Sequence, residues 1–585
     1  MILGTSPFPR YSPLALTQNS KKMKKRLIFY FASLFVLFAC SDSFTEKPAV
    51  GALSDDALAN EQGVNLLLVG AYSALDGIRN NQGAADWTVS GDNWWFDVLA
   101  DDAHKGSTDG DQADLFLLET YDWTSANPYV FGRWNGLFAG VNRANAVISL
   151  INSLEEGDFS SQLAEARFLR GHFNFELQKV YGNVPYISEE NFANTEFNQP
   201  NPGPIWDQIE ADFQYAVDNL PASQSEVGRP TSWAAKAFLG KVHLFQSEWG
   251  QALALLQDVI NNGPYSLLPE FADNFRLAGD NSSENIFSIQ FTTDSGQSFN
   301  GNRGGTLNFP NPGPFGSCCG FYQPTQDLTN AYQTDGTGLP LLDTFNQTDV
   351  ANDYGINSDE AFTPHTGPLD PRLDYTVGRR GIDYNGYGPH VGKDWIRASF
   401  ADISGPYLPK KNVYTADEDA NQGTGAWGQQ HSGINYHIMR YADVLLMAAE
   451  AALEANGDVA TALNYVNQVR DRAKNSTPVM NEAGDAPAAN YQIEPYASFP
   501  DVDFARKAVR FERRLELAME GHRLFDLRRW GNSVDVINEY IQNEARTIGN
   551  FGTKANAYQA NMDLLPIPIA AIDLSGGVLT QNPGF

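Results

Sequence analysis

Cysteine, histidine and positive charge are all scarce in this chain. Its 585 residues hold three cysteines, eight histidines, and 40 lysines and arginines against 70 aspartates and glutamates. Each shortage removes a class of function. Three cysteines cannot make a disulfide framework at this length. No zinc spacing, P-loop, dinucleotide fingerprint or nucleophile elbow is present. His172, His243 and His522 fall within stretches of helical periodicity, where packing or capping accounts for them better than ligation. The formal charge of −30 becomes −36 once the six basic residues of the acid-free stretch 1–39 are removed. That balance argues against nucleic acid or an anionic membrane face as the main partner. Among so many acids some pair always lies at a glycosidase-like separation, so paired carboxylates carry no weight by themselves. The sequence thus offers no catalytic residue, no metal set and no cofactor motif. What it has is 42% hydrophobic and 12% aromatic residues, enough for a large core and above what a disordered acidic chain holds.

Long apolar runs are also missing, with one exception. Lys21-Lys22-Met23-Lys24-Lys25-Arg26 is a basic lead, and Leu27–Ala39 is an apolar run of signal-peptide length, too short to span a membrane. Residues 1–39 are therefore expected to be a signal peptide, with Met23 an alternative start. The run ends Leu37-Phe38-Ala39-Cys40, which resembles a bacterial lipobox with Cys40 as the lipidated residue. Ser41-Asp42-Ser43 resembles the acidic tag of surface lipoproteins, and 40–54 reads as a tether. Acyl chains at about 0.8 kcal/mol per buried CH₂ would anchor the protein without a transmembrane helix. The competing reading is a secretory signal with a chance cysteine.

Helical periodicity dominates both ends of the remainder. Asp55–Ala74, Trp134–Leu150 and Glu165–Val180 each carry apolar residues on one face, with Gly182 as a stop. Ser232 is placed to cap Trp233–Gln246, and Trp249–Asn261 is its partner. Leu239, Gly240, Ala252 and Pro264 stand at tetratricopeptide spacing. A second pair is Tyr441–Asn456 and Val459–Ala473, with Gly457 placed as a left-handed stop and Asp458 as the next N-cap. Such pairs cannot bury their own apolar faces, so they should stack into one superhelical body; an unrelated bundle is the alternative. Phe511–Trp530 reads as one further amphipathic helix with Gly531 as its stop. The expected organisation is an N-terminal helical region, 55–269, and a C-terminal region, 270–585. Within the latter, 270–435 is dense in Gly, Pro, Asn and aromatics and has one short alternating strand, Asn285–Phe291. The fold class is mainly α: a tetratricopeptide-like helical-hairpin superhelix supporting an irregular, loop-rich ligand-binding half with short strands.

Four motifs carry a family resemblance. Glu512–Gly531 (ERRLELAMEGHRLFDLRRWG), Tyr441–Ala451 (YADVLLMAAEA), Asp370-Pro371-Arg372-Leu373, and Leu565-Pro566-Ile567-Pro568 with Gln581-Asn582-Pro583-Gly584-Phe585 resemble the SusD/RagB family in its own order. The family's terminal Tyr is replaced by Phe585. The resemblance implies four tetratricopeptide-like pairs and a cell-surface, lipid-anchored protein that presents a glycan to a SusC-like TonB-dependent outer-membrane transporter. Peptide capture, as in RagB-like members, and a surface polysaccharide-degrading enzyme are the alternatives. Glu516, Glu520, His522, Arg523 and Asp526 then read as mutually paired scaffold charges.

Sugar binding without catalysis asks for aromatic faces against C–H groups and polar side chains for hydroxyls. Two stretches offer both. One is Asp86–Trp95, with Trp87, Asn93, Trp94 and Trp95, in a connection that contributes to the ligand site in characterised relatives. The other is Asn311–Gln323, with Phe315 and Tyr322, together with Trp395 and Trp427. For each tryptophan the alternative is burial; Trp123, Trp134, Trp206, Trp233, Trp249 and Trp530 read as packing residues. Cys318 and Cys319 are adjacent, and form either a strained vicinal disulfide or a pair of free thiols.

Overall fold

The computed structural model describes residues 58–77, 94–293, 301–302, 304–315, 319–411, 413–424 and 430–585. The signal peptide, Cys40 and the tether lie outside them, as do Trp87, Asn93, Cys318 and Trp427. The chain divides into two compact units, 1–63 and 64–585. The second begins within helix α1 (Glu61–Tyr72), and the description below is confined to it.

The expected helices form where capping and apolar spacing coincide. Asn127 accepts a hydrogen bond from Tyr129 N–H, and Pro128 occupies the first turn of α2 (Pro128–Ser153). Helix α3 (Ser160–Tyr181) stops at Gly182, φ 72°. Helix α4 (Trp206–Asn219) buries Ile209, Phe213 and Ala216 along one face. Thr231, one residue before the expected cap, accepts from Ala234 N–H to start α5 (Ser232–Phe245), and α6 (Trp249–Asn262) follows. A Cβ at Gly240 would sit 2.9 Å from Leu256, so the glycine lets α5 and α6 approach closely. Helix α7 (Tyr441–Asn456) ends at Gly457, φ 66°, and Asp458 caps α8 (Val459–Asn475) by accepting from Thr461 N–H. Each helix from α2 to α8 packs on the next, and α9 (Val502–Leu517) packs on α7 and α8. The stack continues directly from α6 to α7 although 178 residues separate them (263–440). The result is a mainly helical tetratricopeptide-like array with a loop-rich insertion.

Four two-stranded antiparallel ladders stiffen that insertion. Strand β1 (Ala103–Gly106) pairs with β3 (Phe321–Pro324), and β2 (Asn285–Ile289) pairs with β8 (Tyr436–Arg440). Strand β4 (Val377–Gly378) pairs with β5 (Leu408–Pro409), and β6 (Gly423–Thr424) with β7 (Gln430–His431). The β2–β8 ladder closes the neck of the insertion, because β8 runs straight into α7. A small separate core lies beyond the neck, built on Phe309, Tyr384, Ile396, Leu408, Tyr414 and Ile434.

The stretch 511–531 is not one helix. Helix α9 ends at Leu517, the chain turns through Met519 (φ 62°) and Gly521 (φ 79°), and α10 (Arg523–Arg529) begins afresh. Side chains from elsewhere satisfy the backbone at the break. Lys411 Nζ donates to Glu516 O and Ala518 O, Tyr436 Oη donates to Glu520 O, and Asp97 Oδ2 accepts from Gly521 N–H at 2.9 Å. These tertiary bonds outcompete continuation of the helix. Gly531, φ 70°, does stop α10, and α11 (Ser533–Glu544) follows.

Candidate functional site

Charge in the C-terminal signature is buried and structural. Arg372 pairs with Asp370, Glu512 and Glu516 at 2.7–2.9 Å. Arg440 bridges Glu284, Glu516 and Glu520 at 2.6–2.9 Å, and Arg472 adds a contact to Glu284 at 2.9 Å and another to Glu516. Arg513 joins Asp443 to Asp526, and Arg523 reaches Asp101. Burial alone would raise the Glu516 carboxyl, but the three arginines overcome it and hold it well below the usual range. His522 is half-buried beside Lys241, and its loss of solvent pushes the imidazole down to about 4, so it stays neutral. The motifs are therefore a scaffold that ties Asp370–Arg372, β8, α8 and α9 together, with pairing between elements more than within the signature.

The aromatic residues singled out in the sequence separate into two groups. Trp95 is 1% exposed and stacks on Phe96 at 3.9 Å; Trp94 is 3% exposed and meets Tyr436 edge-on at 5.4 Å. Tyr322 is equally buried, at a left-handed φ of 51° within β3. These three are buried in the core, where other rings pack against them. Phe315 and Trp395 differ. Both are half-buried on the rim of the small core. Phe315 packs between Phe309 and Tyr387, at 5.0 and 4.8 Å, and Trp395 meets His390 at 5.3 Å and Tyr384 at 5.9 Å. His390 Nδ1 accepts from Gly392 N–H at 2.9 Å, and burial pushes its imidazole down to about 3. A neutral ring therefore backs Trp395. Cys319 is buried and disulfide-bonded.

Loop ends also converge here. Asn302 N–H donates to Ser432 O at 2.7 Å, beside the β6–β7 pair, and Trp94 lies against Gly305 and Tyr436. Cys319 and Gly320 N–H both donate to Phe309 O. Sequence periodicity could not show this convergence, because the Asn302–Ser432 and Trp94–Tyr436 contacts join distant segments.

Two further features went unread in the sequence. A cleft of about 710 Å³ is lined by Phe275, Arg276, Tyr375, Asp383, Asp417 and Glu482 among others, and by neither Phe315 nor Trp395. Among the described residues one group has metal-ligand geometry: Glu210, His243 and Glu248, with donor atoms within 4.8 Å of one another. His243 Nδ1 already meets Glu248 at 2.6 Å, and Gln246 donates to Glu210 at 2.6 Å. The trio is a hydrogen-bonded clasp at the α5–α6 turn, and it joins α4 to that turn.

The fold is a helical-hairpin array with a loop-rich insertion that carries aromatic rings on the rim of its own small core. The profile of the SusD family matches residues 283–585, and a second, described as starch-binding associating with outer membrane, matches 55–244. The chain belongs to the SusD family. It is 26% identical over 588 residues to SusD-like protein P2 of Formosa agariphila, covering 96% of this chain and 100% of the relative. Among solved structures, it resembles a SusD-like carbohydrate-binding protein from Bacteroides fragilis, with a TM-score of 0.67, 22% identity, and coverage of 89% and 99%. A laminarin-binding SusD-like protein matches with a TM-score of 0.62, 23% identity, and coverage of 90% and 100%.

Proposed function

We propose that this protein is a lipid-anchored outer-membrane binding protein that captures a glycan and hands it to a SusC-like TonB-dependent transporter. Membership of the SusD family supports the outer-membrane setting and the transporter partner, and the laminarin-binding relative supports a glycan ligand. The observation that carries the glycan reading is local. The insertion holds Trp395 and Phe315 at the rim of its own small core, anchored on one side and partly open on the other. A ring held this way presents a face to pyranose C–H groups at little conformational cost.

The proposed site is Trp395 and Phe315, to which we add Trp87, Asn93 and Trp427 on their sequence character. Binding alone is sufficient for this role, and no chemical step is proposed. Calorimetry of the purified protein with laminari-oligosaccharides and with oligopeptides tests it. Glycan binding that falls at least tenfold in Trp395→Ala supports the reading; unchanged affinity overturns the placement, and peptide binding alone overturns the ligand class. Incorporation of labelled fatty acid into the wild type but not into Cys40→Ala tests the anchor.

A further inference from the structure

Neither Phe315 nor Trp395 lines the 710 Å³ cleft, although both pack on the hairpin that forms one of its walls. One wall is the hairpin 381–390, held by Tyr384 N–H to Gly388 O and His390 N–H to Ile382 O at 2.9 Å each. Asp383 braces its turn by accepting from Gly386 and Gly388 N–H at 2.8 and 3.1 Å. The facing wall is the loop after α8, closed by the Met480–Pro487 bridge, with Ala488 N–H donating to Val479 O at 2.8 Å. The volume falls within the ~300–1,000 Å³ typical of ligand sites.

Most polar groups lining it are committed. Tyr375 Oη donates to Thr477 O at 2.6 Å, Lys410 Nζ donates to Asp383 O at 2.9 Å, and Asn385 Nδ2 donates to Val413 O at 2.9 Å. Arg276 is the exception. Its guanidinium is half-buried in the cleft, and no hydrogen bond or ion pair from the described residues engages it. Arg133, Arg170, Arg372, Arg440 and Arg514, by contrast, each hold a carboxylate at 2.6–3.1 Å. Asp383, Asp417 and Glu482 line the same cleft; the charge of Arg276 is felt by Asp417, but no contact-distance ion pair joins Arg276 to any of the three.

We infer that this cleft is a second ligand site, taking an oligosaccharide that carries a uronate, with Arg276 receiving the sugar carboxylate. A planar guanidinium with five donors matches a carboxylate in bidentate fashion. The three acids around it repel a polyanion but accept hydroxyl hydrogen bonds, which selects a ligand with isolated carboxylates among hydroxyls. That a sugar carries the carboxylate rests on the glycan reading above; the carboxylate requirement rests on Arg276.

Calorimetry with a xylotetraose bearing a single glucuronate branch, and with the same oligosaccharide after its carboxylate is reduced to an alcohol, tests this. The wild type should bind the acid form at least tenfold more tightly. Arg276→Gln should erase that preference, and Trp395→Ala should leave it within twofold. Equal or absent binding of the two forms by the wild type, or a preference kept by Arg276→Gln, overturns the site. Tighter binding of an oligopeptide, lost on C-terminal amidation, overturns the sugar assignment. Loss of neutral-glycan binding in Trp395→Ala reports on the rim alone, so the two sites fail independently.

Discussion

The helical array with its junction to the insertion, and the outer part of the insertion, treat charged and aromatic side chains in opposite ways. In the array and at that junction, where Arg372 and Arg440 meet Glu516, arginines and glutamates are buried and matched, and Trp95 is sealed among rings. In the outer insertion, Trp395 and Phe315 stay half-open and Arg276 faces a cavity with no contact-distance ion pair from the described residues. Groups satisfied within the fold specify shape; groups left partly unsatisfied are available to something else. Burial of an ion pair adds little net stability, yet removing one member is costly. The array is therefore brittle to substitution where the insertion should be tolerant.

Breaking the array should give the largest effects. Glu516→Leu takes one carboxylate from each of Arg372, Arg440 and Arg472 and leaves the buried cluster with excess positive charge, which should cost about 3–5 kcal/mol in urea denaturation, with glycan affinity unchanged in whatever protein folds. Trp95→Ala opens a core cavity and should cost about 3–5 kcal/mol, again without a specific binding defect. His104 lies between Glu119 and Glu544, 2.8 Å from each. Burial disfavours its charge, but the two carboxylates prevail and raise its pKa to about 9. Folding thus raises it above an unfolded value of about 6.5, so its contribution is complete below that pH and is lost as pH rises through about 9. Denaturation at pH 6, 7.5 and 9.5 should show that loss in the wild type and a flatter profile in His104→Gln. On the other side of the comparison, Trp395→Ala should weaken glycan binding about tenfold, or ~1.4 kcal/mol, while moving stability less than Trp95→Ala does. Gly457→Ala imposes a left-handed conformation on a residue with a Cβ and should cost about 1–2 kcal/mol in thermal unfolding, without touching affinity.

How far the sequence could be read follows the same division. Helices α5 to α8 were legible because caps and apolar spacing are local: Gly457 and Asp458 mark their boundary in the chain itself. Helix α4 carries an equally local signal in Ile209, Phe213 and Ala216, and a count of helical spacing over 206–219 would have found it. The break at 518–522 was not legible, since its backbone partners come from Asp97, Lys411 and Tyr436. Trp94 and Trp395 look alike as letters; only long-range packing makes one core and the other rim. Arg276 had no signal at all, because the cleft exists only when 271–276, 381–390 and 478–488 meet.

The direct packing of α6 on α7 across the insertion bears on the order in which the chain can fold. As synthesis proceeds, α2 to α6 can stack as soon as they emerge, leaving the outer face of α6 uncovered. That face cannot be covered until the insertion and α7 have been made. The entropic penalty of closing so large a loop grows only logarithmically with its length, so the insertion could lengthen or be exchanged at small thermodynamic cost. The waiting time grows directly with every residue added. Natural variation in the insertion would then be limited less by the stability of the finished protein than by how long a half-built stack can remain soluble.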